Sequence, residues 1–156
     1  MKLYLGADHA GFKLKLEVKK LLASLRIPVD DFSPIFKEGD DYPKYAELVA
    51  SAVFVNKAKG ILICGSGIGM DVVANKFPGV RAALCLNKDQ AKMSREAEDS
   101  NILVLSQWFI EDNPKEILEA WLNSKFEGGR HRRRLDEIEE IEKKIQKLKI
   151  FFSPPS

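Results

Sequence analysis

The amino-acid sequence predicts a single α/β domain built on a parallel sheet, and two observations carry this prediction. Short apolar runs alternate along the chain with segments whose apolar residues recur every three to four positions, which is the pattern of repeated βαβ units. Three of the runs (LYLGA, GILIC and VRAALCL) are almost continuously apolar, as expected of strands that helices cover on both faces. A chain of 156 residues is long enough to bury one sizeable core.

The predicted elements follow from these patterns. Strands are predicted at residues 2–7, 27–32, 60–64, 80–86 and 101–105. The buried stripes of the first two helices are predicted to comprise Leu14, Val18, Leu21, Leu22 and Leu25, and then Tyr45, Leu48, Val49, Ala52 and Val53. A third helix is predicted over residues 68–76, ending at a Phe-Pro-Gly stop signal, and Asn87 and Asn113 are expected to cap the next two.

Composition limits the class of protein. With 45% hydrophobic and 31% charged residues the chain is expected to be a soluble globular protein, and its net charge of +2 gives no general signal for nucleic acid. No apolar run has the length of a membrane span, and the first residues lack a signal-peptide pattern. Cys64 and Cys85 lie in strand-like runs and are expected to be free thiols, so we expect a cytoplasmic protein with no membrane partner.

The C-terminal part of the sequence changes character. Residues 1–134 are predicted to form the α/β domain, and residues 135–156 a C-terminal amphipathic helix and tail, either part of the same domain or packed on a partner subunit. The apolar seam of this helix consists of Leu135, Ile138, Ile141, Ile145 and Leu148, on an otherwise charged helix. The last six residues, FFSPPS, are expected to form a tail.

A glycine-rich turn, CGSGIGM at residues 64–70, follows the third predicted strand. Ligands bind beyond the carboxyl ends of strands in an open parallel sheet, and alternating glycines let several main-chain N–H groups converge on an oxyanion or phosphate. Cys64 precedes the turn and Ser66 lies within it. A thiol next to a helix N-terminus is expected to have its thiolate favoured, so Cys64 is a candidate base or nucleophile. Cys85, in the middle of a strand, is interpreted as a core residue.

Two further groups of polar residues are candidates for binding. Asp8 and His9 follow the first strand, where Asp8 is expected either to cap the next helix or to contact a ligand. Arg130 and Arg134 lie four positions apart in a basic run that also contains His131. If the run is helical, the two guanidinium groups form a phosphate clamp; a solvated basic run is the alternative.

Taken together, the segments GADHAG, DDYP, ILICGSGIGM, ANK, RAAL and FEGGRHRRR resemble the ribose-5-phosphate isomerase type B family, which includes the subunits of galactose-6-phosphate isomerase. The resemblance covers residues 1–143. It implies a doubly wound, Rossmann-like five-stranded parallel sheet with helices on both faces. It also implies a homodimer or tetramer with active sites between subunits, and no metal or organic cofactor.

The resemblance implies a role for each matching residue. Cys64 would be the base that moves a proton between C1 and C2 of an open-chain sugar phosphate. Ser66 and the main chain of the turn would hold the enediolate oxygens, the residues being Gly65, Gly67, Ile68, Gly69 and Met70. Asp8 would bind sugar hydroxyls, while His9, Arg130 and Arg134 would bind the phosphate.

Three positions depart from the family pattern. The usual ring-opening histidine and the asparagine after it are Ala97 and Glu98, and a phosphate-binding arginine is replaced by Trp108. All three are positions that a neighbouring subunit is expected to contribute. Three interpretations stay open: an active isomerase in which Glu98 is the acid/base, a subunit whose paralogous partner supplies the histidine, or a sugar-phosphate-binding homologue with reduced catalysis.

Overall fold

Five parallel strands form one sheet in the order β2-β1-β3-β5-β4. The computed structural model describes residues 2–151, so the predicted tail beyond Phe151 lies outside the described residues. The strands are β1 (Leu3–Ala7), β2 (Val29–Asp31), β3 (Lys59–Cys64), β4 (Ala82–Leu84) and β5 (Ile102–Ser106). The chain moves from β1 to one side for β2 and returns to the other side for β3, so the strand order reverses between β1 and β3. The crevice at such a reversal is the usual ligand site of an open α/β sheet.

Within the described residues, six helices accompany the sheet: α1 (Phe12–Ser24), α2 (Tyr42–Asn56), α3 (Ile68–Ala74), α4 (Lys88–Glu96), α5 (Pro114–Asn123) and α6 (Arg130–Phe151). Two separate hydrophobic clusters cover the two faces of the sheet. Ile61 and Ile63 pack with α1 and α5 on one face, whereas Leu62 and Cys64 pack with α2 and α3 on the other. This alternation along β3 confirms the predicted doubly wound α/β fold with helices on both faces.

Two strands are shorter than predicted because their flanking residues are used in turns. The N–H of Ile27 bonds to the carbonyl of Leu22 at the end of α1, and Pro28 has no N–H, so β2 begins only at Val29. The N–H of Val80 bonds to the carbonyl of Phe77 in the turn before β4, which begins at Ala82.

The helix stripes were predicted with local errors. On α2 the residues buried beside Tyr45, Val49 and Val53 are the small Ala46 and Ala50, which let the helix approach the sheet closely. Leu48 is exposed instead. The helix α3 ends two residues earlier than predicted, at Ala74. The capping predictions are confirmed, because the side chains of Asn87 and Asn113 accept hydrogen bonds from the N–H groups of Gln90 and Lys115.

The C-terminal helix α6 begins at Arg130 and continues through Phe151, so it starts before the predicted boundary at residue 135 and includes the first residue of the predicted tail. It contacts the rest of the chain through the buried Leu135 and through Glu142, whose carboxylate accepts from the N–H of Gly79 at 2.9 Å and 3.0 Å. Most of its seam, from Ile138 to Leu148, is exposed. Among the described helices, none is both apolar enough and long enough to cross a membrane.

Candidate active site

Asp8 follows β1 and Cys64 ends the neighbouring strand β3, both at the carboxyl edge of the sheet. Ala7 pairs with Ile63 across β1 and β3, which brings the residues that follow each strand into the same crevice. Gly11 lies so close to β3 that a Cβ there would come within 2.4 Å of the Ile63 carbonyl oxygen and 2.9 Å of the Cys64 Cα. The chain after β1 is therefore packed directly against the start of the glycine-rich turn.

The thiol of Cys64 is buried and held by the turn that follows it. The N–H of Gly67 donates to Sγ at 3.1 Å, and Gly67 has a positive φ of 78°, a left-handed conformation that favours glycine. Burial raises the pKa of the Cys64 thiol, although main-chain N–H groups of Met70 and Gly67 act in the opposite direction. The expectation of a favoured thiolate is therefore wrong for the protein without ligand, because desolvation outweighs the donors of the turn.

Aromatic side chains pack against two glycines of the turn. A Cβ on Gly65 would lie 2.4 Å from Cζ2 of Trp108, and one on Gly69 would lie 2.5 Å from Cζ of Tyr42. The sequence suggested that these glycines keep the main chain open for a ligand. The structure adds a second reason for them, since each makes room for a ring of the same chain.

Trp108 is held in place by the segment that follows β5. The N–H of Gln107 donates to the Cys64 carbonyl and the N–H of Trp108 to the Gly65 carbonyl, each at 3.0 Å. The hydroxyl of Ser106 donates to the same Gly65 carbonyl at 2.8 Å. Although the Trp108 side chain is largely exposed, these bonds fix its main chain against the turn. The indole thus forms one wall beside the Cys64 site.

Asp8 and His9 have different environments within the same short segment. Asp8 is buried, and its Oδ1 accepts from the N–H of Gly11 at 2.9 Å. This bond stabilises the turn before α1 and does not cap the helix, whose N-cap is Gly11 with no side-chain capping bond. Burial raises the pKa of the Asp8 carboxyl. The side chain of His9 is 42% exposed, and its Nδ1 lies 2.9 Å from the carbonyl oxygen of Asp40. Asp40 belongs to the DDYP segment, but sequence reasoning assigned it no role, because a spacing of 31 residues gives no periodic signal.

Ala97 and Glu98 lie at the opposite, amino-terminal edge of the sheet. They follow α4, and the Glu98 carbonyl accepts from Nε of Arg81, which precedes β4, at 2.8 Å. Trp108, by contrast, lies at the carboxyl edge with Cys64. The three departures from the family pattern therefore lie at two different edges of the sheet within one chain.

Arg130 and Arg134 also lie at the amino-terminal edge. The segment before α6 is bound to the end of α4 through the N–H of Glu127 and the carbonyl of Glu96, at 3.0 Å. The basic run is helical, as the clamp hypothesis requires, and both arginines are exposed. His131 is buried, with Nε2 3.5 Å from a Glu127 carboxylate oxygen. Within one chain these cations are separated from Cys64 by the sheet.

A groove of about 570 Å³ does not contain the predicted site. It lies at the amino-terminal edge, between the end of α2 and α6, and Arg81, Arg95 and Asp99 line it. The chemistry identified from the sequence is at the carboxyl edge, in the crevice where the strand order reverses. We assign the site by this chemistry, since volume alone does not supply a base or an anion-binding turn.

A doubly wound sheet with a thiol and a glycine-rich turn at its reversal point defines a Rossmann-like α/β protein with a site for a small oxyanion. The sequence profile of the Ribose/Galactose Isomerase family matches residues 3–138, and the chain belongs to this family.

Individual relatives match over nearly their whole length. The ribose-5-phosphate isomerase B of Escherichia coli is 40% identical over 145 residues, which are 92% of this chain and 97% of that protein. The structure of ribose-5-phosphate isomerase B from Clostridium thermocellum has a TM-score of 0.89 at 44% identity, covering 93% of this chain and 99% of that one. The Mycoplasma genitalium enzyme with bound ribulose-5-phosphate has a TM-score of 0.86 at 40% identity, covering 91% and 96%.

Proposed function

We propose that the protein is an aldose–ketose isomerase that interconverts ribose 5-phosphate and ribulose 5-phosphate, with Cys64 as the base. The observation that carries the proposal is the buried Cys64 thiol at the start of the glycine-rich turn, with the N–H of Gly67 on its sulfur. Family membership and 40% identity to the Escherichia coli enzyme support the same reaction. The Mycoplasma genitalium relative holds ribulose-5-phosphate, which supports a five-carbon sugar phosphate as ligand.

The proposed chemistry passes through an enediolate. The Cys64 thiolate takes a proton from C2 of the open-chain aldose while the C1 carbonyl oxygen gains negative charge. The proton of the C2 hydroxyl then moves to the C1 oxygen, and the thiol returns its proton to C1 as the C2 oxygen becomes the carbonyl of the ketose. The main-chain N–H groups of the turn, from Gly65 through Met70, and the Ser66 hydroxyl would stabilise the charged oxygens. Because burial raises the pKa of Cys64, the same N–H donors also have to support the thiolate.

The other residues proposed to contact the substrate lie at two different edges of the sheet. Asp8 would hydrogen-bond the sugar hydroxyls and His9 the phosphate, both beside Cys64. Arg130, Arg134 and Glu98 lie at the other edge, so in this proposal they act on the site of a second subunit. A homodimer or tetramer that apposes the carboxyl edge of one copy to the amino-terminal edge of another would complete the site. Such an assembly would also cover the exposed seam of α6.

A second candidate is a subunit of a hetero-oligomeric isomerase. The observation that favours it is Ala97, whose methyl group cannot transfer a proton, at the position where the family has its ring-opening histidine. A paralogous partner would then supply that histidine to the Cys64 site of this chain. In the homomeric proposal Glu98, one residue further, takes the role of acid/base.

We also propose that the protein acts in the cytoplasm. Both Cys64 and Cys85 are free thiols, as is usual for cysteines in a reducing compartment.

An isomerase assay of the purified chain, without any other protein, tests the function directly. Ribose 5-phosphate, allose 6-phosphate and galactose 6-phosphate would each be offered, and ketose formation followed. Turnover of ribose 5-phosphate above the two hexose phosphates is expected. Turnover that appears only after a paralogous chain is added would favour the hetero-oligomer, and tight binding without turnover would contradict both proposals.

A further inference from the structure

The carboxylate of Asp40 lies between His9 and Tyr45 and is bonded to both. Its Oδ1 accepts from the main-chain N–H of His9 at 2.7 Å, and its Oδ2 accepts from the Tyr45 hydroxyl at 2.6 Å. The Asp40 side chain is 7% exposed, whereas that of His9 is 42% exposed. A buried carboxylate thus supports an imidazole that is open to the crevice.

The imidazole of His9 is held by one of its two nitrogens. Nδ1 lies 2.9 Å from the Asp40 carbonyl oxygen and 3.3 Å from Oδ1 of the same residue. Both neighbours are acceptors, so Nδ1 carries a proton in this arrangement. Nε2 has no hydrogen-bond partner among residues 2–151. The loop that carries His9 is held by a second bond, because the Asp8 carboxylate accepts from the N–H of Gly11.

From this arrangement we infer that Asp40 is a positioning residue, which holds His9 with Nδ1–H bound and Nε2 available to the phosphate of the substrate. Tyr45, from the first turns of α2, orients Asp40 in the same way that Asp40 orients His9. The inference rests on the proposed function in one respect, namely that the anion which Nε2 meets is a sugar phosphate.

The charges around His9 act in the direction that phosphate binding requires. The hydrogen bond to the Asp40 carbonyl, together with the carboxylates of Asp40 and Asp8, raises the pKa of His9. Burial alone would raise the pKa of Asp40, but hydrogen bonds from Tyr45 and His9 bring it below its usual value. A cation also faces Asp40, because Nζ of Lys44 lies 4.0 Å from its Oδ2. These neighbours favour the imidazolium form of His9, whose Nε2–H can donate to an anion.

NMR can test the inference because the protein contains only two histidines, His9 and His131. In Asp40→Asn the carboxylate charge is lost while the shape is kept, so the pKa of His9 should fall. Asp41→Asn is the matched control, since Asp41 is exposed and its side chain makes no capping bond to α2. It removes the same charge one residue away and should leave His9 nearly unaffected.

A second measurement needs no variant and so does not depend on whether Asp40→Asn folds. Nitrogen-15 shifts of the wild-type protein above the pKa of His9 report which nitrogen keeps the proton, and we expect Nδ1. A neutral His9 protonated on Nε2 would overturn the inference. So would an unchanged His9 pKa in a folded Asp40→Asn variant.

Steady-state kinetics test whether the contact between Asp40 and His9 affects binding of the substrate. Asp40→Asn should raise KM for ribose 5-phosphate roughly tenfold, the order of one charge-assisted hydrogen bond, with kcat changed much less. The ratio of mutant to wild-type KM should be largest between the two His9 pKa values, where only the wild type is protonated. Equal effects on KM at every pH would contradict the inference. Absence of turnover in wild type, with the NMR results as expected, would instead count against the proposed function alone.

Discussion

The indole of Trp108 occupies the place that a Cβ on Gly65 would need. Its atoms Cζ2, Cη2 and Cε2 would lie 2.4, 2.5 and 2.7 Å from that carbon, closer than any ordinary contact. The resemblance to the family predicts an arginine at position 108, where this chain has the tryptophan. The indole of Trp108 therefore packs directly against the glycine-rich turn in this chain, next to Cys64.

Gly65→Ala should consequently disturb the turn unless Trp108 is made smaller. We expect a loss of roughly a hundredfold in kcat/KM, because a shift of about 1 Å at a catalytic group can have that effect. Trp108→Ala alone should reduce kcat/KM less than Gly65→Ala does. The double variant should have a higher kcat/KM than Gly65→Ala, because the smaller side chain makes room for the added methyl group. A double-mutant cycle measures this coupling. Additive effects of the two substitutions would show that the contact does not position the turn.

The sequence predicts the sheet well where a strand is buried on both faces. The run GILIC indicates β3 because each of its residues packs against one of the two helical layers. The prediction is less accurate at β2, because Ile27 bonds to the end of α1 and Pro28 has no N–H, so neither residue joins the strand. It is also inaccurate on α2, where close approach to the sheet selects Ala46 and Ala50 over the larger Leu48.

Within the site, the residues with a local signature were predicted and those that depend on distant contacts were not. Cys64 is recognisable because the glycines follow it directly. Asp40 is recognisable only when the chain before α2 is placed against His9. Outside the site, Lys15 also depends on a distant contact. It lies on the buried side of α1 and is fully buried, because its ammonium group pairs with Asp31 at the end of β2.

The ion pair of Lys15 and Asp31 gives a prediction for stability. Lys15 Nζ lies 3.1 Å from Oδ2 of Asp31, and the exposed fractions of the two side chains are 0% and 6%. Asp31→Asn leaves a buried ammonium without its counter-charge and should lower the free energy of unfolding by about 3 kcal/mol. Lys19→Met, which removes the half-exposed second cation from the same carboxylate, should cost less than about 1 kcal/mol. Urea denaturation of both variants checks the difference, and equal losses would contradict it.

The amino-terminal edge gives a prediction about ring opening. If Ala97 and Glu98 replace the ring-opening groups, the unmodified chain should turn over cyclic ribose 5-phosphate poorly and the open-chain aldehyde better. The double substitution Ala97→His and Glu98→Asn should raise turnover of the ring form specifically. Glu98→Gln alone separates the interpretations, since it should reduce activity only if Glu98 is the substitute acid/base. Ordinary family rates for the unmodified chain, together with no effect of Glu98→Gln, would contradict this account of the half-site.

Assembly is the next prediction, because Cys64 and the clamp arginines lie at opposite edges of one chain. We expect at least a dimer at micromolar concentration, measured by light scattering against the chain mass of 17.6 kDa. Replacing the exposed seam residues Ile141 and Ile145 by Glu should weaken association, whereas Lys147→Gln, a polar change on the same helix, should not. A wild-type mass of one chain would contradict the two-edge site.

The most direct test of the central claim is proton exchange at the substrate carbons. Cys64→Ala should reduce exchange of the C1 and C2 hydrogens with deuterated water by roughly two to four orders of magnitude, the usual effect of removing a general base. Its affinity for a non-reacting phosphate ligand should stay close to wild type, because the turn and His9 are intact. The test requires the substituted chain to stay folded, which the urea transition establishes. Loss of exchange with retained binding is the result that the account predicts, and exchange at the wild-type rate in Cys64→Ala would contradict it.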